Sequence, residues 1–279
     1  MPSSMSLPTN PDRDRPPRDV LAAFGSEGEP VPLPGGRGLT WRVGDQVFKP
    51  IDLTPDELAW QADVMPTVHA RDLRLSFPQR AVGGELVVHG WTAWSYVPGE
   101  HRAARWLDVV AAGDRFHHAM AGLPRPPFVA ARTDPWAIGD RVAWGEASAD
   151  PYRDVPHVSR LVERRRPIAA RSQLIHGDLG GNVLFADALP PAVIDLSLYW
   201  RPAAFATAIV VADALVWEGA DDSLIRSLAH VGDLGQMLVR ALLYRLVAAV
   251  EGGFEDDASA IEAHYRPGVD LAVQLTVQR

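Results

Sequence analysis

Cysteine is absent from this sequence and lysine very nearly so. Without cysteine there are no disulfides and no thiolate metal sites, and the redox compartment cannot be read from thiol usage. Long apolar runs are missing too. None approaches the ~20 residues a membrane-spanning helix needs, so no membrane partner is expected. The first 18 residues are rich in proline, serine and arginine and lack the apolar stretch of a secretory signal. A basic surplus is also lacking. With 27 Lys and Arg against 35 Asp and Glu, the net charge is −8, which argues against a nucleic-acid partner because phosphates call for positive charge. The run Arg164-Arg165-Arg166 is short and reads as a solvated helix end.

What remains is a chain of 279 residues, 47% hydrophobic and 22% charged, long enough for one large domain or two lobes. Residues 1–18 read as a disordered leader, and without an export signal the cytoplasm is the expected location. Nothing in the pattern specifies an oligomeric state. The basic residues are arginine with one exception, Lys49. A lysine kept in a chain that otherwise writes arginine is either a chance survivor or a place where a compact ammonium is required and a planar fork does not fit.

Residues 19–24 have the pattern of a short helical turn. Gly35-Gly36-Arg37-Gly38 then opens two β-rich runs, 39–43 and 46–49, joined by Gly44-Asp45, which is a hairpin signal. Alternation puts Val47 and Lys49 on one face and Phe48 on the other. Thr54-Pro55-Asp56-Glu57 is a helix start, with Thr at the cap, Pro at the first position and Glu at the third. Strand-like runs follow at 73–81 and 85–97, then an amphipathic helix over 105–123. The Pro-rich stretch 124–135 shows no element. Two short β runs, 182–185 and 192–196, form a second hairpin. Helices are expected over 203–217, 223–229, 234–250 and 257–264.

The segment His176-Gly177-Asp178-Leu179-Gly180-Gly181-Asn182 resembles the catalytic loop of aminoglycoside phosphotransferases and choline-kinase-like enzymes, relatives of the protein kinases. Val193-Ile194-Asp195 resembles that family's metal-binding strand end. The resemblance runs from about residue 35 to 217 and is specific at the loop and the strand pair. It implies an α+β, two-lobed protein-kinase-like fold. A small antiparallel β-rich N-lobe would span 19–98 and a larger helical C-lobe 99–279, with nucleotide in the cleft. The implied activity is transfer of the γ-phosphate of ATP, with Mg²⁺, to a hydroxyl of a small molecule. Asp178 would orient the attacking hydroxyl and take its proton, His176 would brace the loop, and Asn182 and Asp195 would supply hard oxygen ligands to Mg²⁺. Lys49 would meet the α/β-phosphates and Val47 would pack on adenine. The adenine edge would bond the C=O of Ser95 and the N–H of Val97.

Several assignments stay open at this level. Gly36 and Gly38 fit either a phosphate-covering loop or a plain hairpin entrance. Glu57 fits either a partner for Lys49 or half of a capping box, with Asp56 and Asp63 as competitors. Asp213 could brace the catalytic loop or lie buried elsewhere. Arg201 stands roughly where the family often has an acid. The acidic pairs Asp221-Asp222 and Asp256-Asp257 suit a cationic substrate or a solvated helix start. Three residues separate Asp178 from Asn182 where the kinase pattern has four, and this shortening favours a rival reading as a nucleotide-binding pseudokinase with a regulatory or scaffold role. A protein kinase is the weaker alternative, since little chain separates Asp195 from the apolar helix.

Overall fold

The computed structural model describes residues 15–34, 38–255 and 257–277. In chain order its elements begin α1 (Arg18–Ala23), β1 (Val31–Pro32), β2 (Trp41–Val43), β3 (Gln46–Pro50), α2 (Pro55–Val64), β4 (Arg74–Leu75), β5 (Pro78–Gln79) and β6 (Trp91–Ser95). Next come α3 (Trp106–Met120), α4 (Pro127–Ala131), α5 (Pro135–Trp144), α6 (Val158–Arg164), β7 (Gln173–His176), β8 (Val183–Leu184) and β9 (Ala192–Val193). The chain finishes with β10 (Leu198–Arg201), α7 (Ala203–Trp217), α8 (Asp222–Ser227), α9 (Leu234–Glu251) and α10 (Ala258–Val277). These form an α+β architecture of two compact units. One holds the described residues up to His101 together with Val183–Asp195; the other holds Arg102–Asn182 and the chain from Leu196 onward. No described helix is long and apolar enough to cross a membrane.

The first unit is built on an antiparallel sheet of order β1-β2-β3-β6-β5. The β2–β3 hairpin turns at Gly44, whose φ of +60° suits glycine. Phe48 faces a core with Val20, Leu21, Phe24, Trp41, Val43, Ala81, Trp91 and Ala93, while Val47 and Lys49 lie on the opposite, half-buried face. The expected strand over 73–81 divides into β4 and β5, which join different sheets. Between them the Ser76 N–H donates to Val193 O at 3.1 Å and its hydroxyl to Ser95 O at 2.7 Å, so the chain crosses from one sheet to the other. The expected strand over 85–97 shrinks to β6. Gly90, at φ +80°, turns the chain just before it. The second hairpin forms as expected, β8 antiparallel to β9, and β4 adds to it in parallel.

In the second unit, α7 and α9 are buried almost all round and pack against each other, with α5 against α9 and α10 across both. The Pro-rich stretch that shows no element in the sequence holds α4, and α5 begins at its end. Each places proline at its first position, where the missing N–H costs nothing, and the Asp134 carboxylate caps α5 by accepting from Ala137 N–H at 3.1 Å. The last helix is longer than expected. It runs past Pro267 because Ile261, Tyr265, Gly268, Val269 and Ala272 form one buried stripe on both sides of the proline. Between Asp195 and α7 lies a short strand, β10, which pairs antiparallel with β7 and fastens the start of α7 beside the loop after β7.

The two faces of β3 differ in what they hold together. Phe48→Ala is expected to lower stability by about 3–5 kcal/mol, the cost of an aromatic cavity in a closed core. Val47→Ala, on the open face, should cost less than half of that. Urea midpoints of the two variants against the parent measure the contrast.

Candidate active site

In the first unit, β3 carries Lys49 to a sheet position beside Thr92, whose hydroxyl donates to Lys49 O at 3.0 Å. The ammonium donates to Asp195 Oδ1 at 2.7 Å and to Asp52 Oδ2 at 2.8 Å, and sits 4.8 Å from the centre of the Trp94 ring. Burial works against the charge, but Asp195 and then Asp52 outweigh it and hold the lysine pKa above its ordinary value. Asp195 lies in the left-handed region at φ +49° with a side chain 56% exposed. Strain of that kind at a non-glycine residue collects at functional sites, and Asp tolerates it better than most. Val47 stands across from Trp94 on the same face as Lys49.

Glu57 is buried at the third position of α2, where its N–H donates to Thr54 Oγ1 at 3.3 Å and its Oε1 accepts from Gln61 Nε2 at 3.5 Å. Thr54 caps the helix through that bond, and the carboxylates that Lys49 meets are Asp52 and Asp195, not Glu57. Asp52 was missed in the sequence. Its only signal is its place three residues after Lys49, beyond the strand-ending Pro50. At the end of β6, Ser95 O accepts the Ser76 hydroxyl, which leaves it one lone pair, and the Val97 N–H has no partner among the described residues. Gly38 has φ +76° and Gly36 lies outside the described residues.

In the second unit, β7 delivers His176 and the loop that follows. Gly177 approaches the Tyr199 ring so closely that a Cβ there would stand 2.5 Å from it. Its N–H donates to Ser197 O at 2.8 Å, tying the loop to the chain just before β10. The shortened stretch between Asp178 and Asn182 closes as a turn. Asn182 N–H donates to Leu179 O at 3.0 Å, and Gly181 takes up the corner at φ +80°. Asn182 Nδ2 then donates to Asp178 O at 2.7 Å and to Asp178 Oδ2 at 3.2 Å, so its amide oxygen is left for other work. The loop is one residue short, yet Asn182 still reaches back to Asp178.

Asp178, 27% exposed, accepts from Arg245 Nη2 at 2.7 Å through Oδ1. The same guanidinium grips Asp213, Nε to Oδ1 at 2.7 Å and Nη2 to Oδ2 at 2.5 Å. Burial opposes the charge on Arg245, but Asp213 and Asp178 outweigh it and hold its pKa well above the ordinary value. Asp213 therefore reaches the loop through an arginine. Arg245 escaped the sequence reading, although an Arg between Tyr244 and Leu246 in an apolar helix, one of two with Arg240, was a visible signal. Arg201, on β10, pairs with Asp140 at 2.7 Å and Glu146 at 2.6 Å instead of taking an acid's place.

Behind the loop, His176 is fully buried and its Nδ1 accepts from Asp178 N–H at 3.0 Å, which assigns its proton to Nε2. His176 N–H donates to His117 Nε2 at 3.2 Å, so His117 must be neutral with its proton on Nδ1. Burial, then the neighbouring His176, pushes the His117 pKa down to about 3. The folded protein thus resists a proton that the unfolded chain accepts below the ordinary value of 6.5. Stability should be untouched by this group above pH 6.5 and should fall between pH 6.5 and 3 by up to ~1.4 kcal/mol per pH unit. His117→Gln, which keeps an acceptor but does not titrate, should flatten the parent's loss of urea midpoint across that window. Equal slopes in the two proteins would remove His117 as the cause.

No protein-family model and no curated relative matches the sequence. Solved structures do match. Spectinomycin phosphotransferase APH(9)-Ia, in complex with ADP and spectinomycin, is similar over 93% of this chain and 97% of its own, with a TM-score of 0.57 and 12% identity. A thermostable mutant of aminoglycoside phosphotransferase APH(4)-Ia in apo form gives a TM-score of 0.60 at 16% identity, covering 92% and 97%. The GDP complex of aminoglycoside 2'-phosphotransferase-IIIa gives 0.54 at 14% identity, covering 93% and 96%. The chain has the kinase-like fold of the aminoglycoside phosphotransferases, α+β throughout, with a small sheet in one unit and a larger helical unit beside it in sequence.

Proposed function

We propose that the chain is an ATP- and Mg²⁺-dependent phosphotransferase that moves the γ-phosphate to a hydroxyl of a small molecule. The observation that carries this reading is the pairing of Asp178 with Asn182. A half-exposed carboxylate is held by donors on both oxygens, and the amide holding one of them turns its own oxygen away. That arrangement suits a group that must orient a hydroxyl and accept its proton. In the first unit, the pairing of the sole lysine with Asp195 supplies a cation for phosphate oxygens and a strained, exposed carboxylate.

Asp195 and the Asn182 amide oxygen are hard oxygen donors of the kind Mg²⁺ takes, and they are the residues that would hold it. Mg²⁺ held there would supply positive charge against the phosphate oxygens. The chain's own groups do the rest of the work. Lys49 binds phosphate by charge, Val47 and the Val97 N–H seat the base, Asp178 takes the acceptor's proton, and His176 holds the Asp178 backbone in place. The structural neighbours bind ADP with spectinomycin and GDP with kanamycin, which favours a small hydroxylated acceptor.

Substitutions at two residues separate binding from chemistry. Lys49→Ala should abolish most Mg·ATP affinity, and Lys49→Arg should bind weakly too, because the larger fork displaces Asp52 and Asp195. A Lys49→Arg protein that binds as tightly as the parent would refute the role given to the compact ammonium. Asp178→Asn should keep nucleotide affinity and lose about 10²–10⁴-fold in kcat, read as slow Mg·ATP hydrolysis or as transfer to spectinomycin, hygromycin B or kanamycin. A parent that binds nucleotide indifferently to Mg²⁺, and turns over with no acceptor, would instead be the pseudokinase.

A further inference from the structure

Helix α9 is buried on almost every side, yet it carries an arginine whose side chain is 3% exposed. An ion so placed costs several kcal/mol unless it is paired and hydrogen-bonded. Asp213, on α7, meets that need by itself with a two-point fork. The contact to Asp178 is additional, made by the second hydrogen of the same Nη2, and it is directed at the half-exposed carboxylate of the loop. Trp136 and Tyr244 pack against the guanidinium at 5.3 and 5.2 Å, so its plane is set by rigid neighbours.

We infer that Arg245 is the positioning residue for the reaction at Asp178: it fixes Oδ1 from the core, so that Oδ2, beside Asn182, faces the acceptor hydroxyl. The inference rests on the reading of Asp178 as the base. The charges support it. Without the guanidinium, Asp178 and Asp213 would confront one another as two carboxylates with no cation between them, and Asp178 would turn away. With it, Asp213 is neutralised and a single negative charge remains at the loop. Arg245 acts through Asp178 and does not touch the acceptor.

The test uses the full chain, Mg·ATP and water as acceptor. Arg245→Lys keeps the charge but cannot hold both carboxylates in one plane. Arg245→Met combined with Asp213→Leu removes both buried charges together and leaves none unpaired. Both should bind Mg·ATP as the parent does. The paired substitution should lose about 10²-fold in kcat, the penalty for a reacting group displaced by an ångström, and the lysine variant should fall between it and the parent. Asp178→Asn should then cost far less in the doubly substituted background than in the parent, since the carboxylate is already misplaced. A purely structural role would lower the melting temperature and leave this coupling absent. Parent-like kcat in a folded paired variant, or additive losses with Asp178→Asn, would overturn the inference and leave the phosphotransferase reading standing. If the paired variant does not fold, parent-like kcat in Arg245→Lys overturns it just as well. A parent with no Mg·ATP turnover refutes the reading of Asp178 as base, and the inference falls with it.

Discussion

A buried cation shared between two carboxylates organises the helical unit. Arg245 joins α9 to α7 through Asp213 and joins both to the loop after β7 through Asp178. Removing Arg245 or Asp213 leaves an uncompensated charge in a space that excludes water, a defect worth several kcal/mol, whereas loss of Asp178 leaves the Arg245–Asp213 pair intact. The apolar surroundings that make the charge expensive are also what make its geometry precise. Leu242, Leu246 and Ala249 on the same helix are buried and cannot yield without opening the core. The loop therefore inherits the rigidity of the helices even though its own sequence holds three glycines, Gly177, Gly180 and Gly181.

The first unit solves a similar problem at lower cost. Lys49 lies near the surface of a sheet and holds its charge between Asp52 and Asp195, over the face of Trp94. Asp195 accepts a left-handed backbone there, and the pairing with Lys49 is one of the contacts that keeps it so. Asp52, in the loop just after the strand, is one of the lysine's two carboxylate partners. Glu57, on α2, accepts from Gln61 of its own helix instead. Two carboxylates around one ammonium leave this cluster with one net negative charge.

His117 and His176 show how polar groups are kept inside such a unit. Each ring accepts one backbone N–H, from His176 and Asp178 respectively, and so each takes one tautomer. The arrangement supports the loop from behind and confines its stability to the pH range in which His117 stays neutral. Arg201, clamped between Asp140 and Glu146 and laid over Trp144, fixes the other side of β10 in a comparable way.

Much of this was legible in the residues alone. The β2–β3 hairpin, the capped start of α2, the β8–β9 hairpin and the span of α7 all follow from alternation, turn glycines and helical period, which act over a few residues. The loop His176 to Asn182 was legible because its spacing is itself local, and Gly181 showed how the chain could afford one residue fewer. The choices among distant partners were not legible. Asp52 and not Glu57 beside Lys49, Arg245 between Asp213 and Asp178, His117 behind His176, and the passage of α10 through Pro267 were decided by tertiary packing. Local propensity states what a segment can form. Which buried charge finds which counter-charge depends on where the helices and strands come to rest, because the desolvation that makes a pairing obligatory exists only once the core has closed.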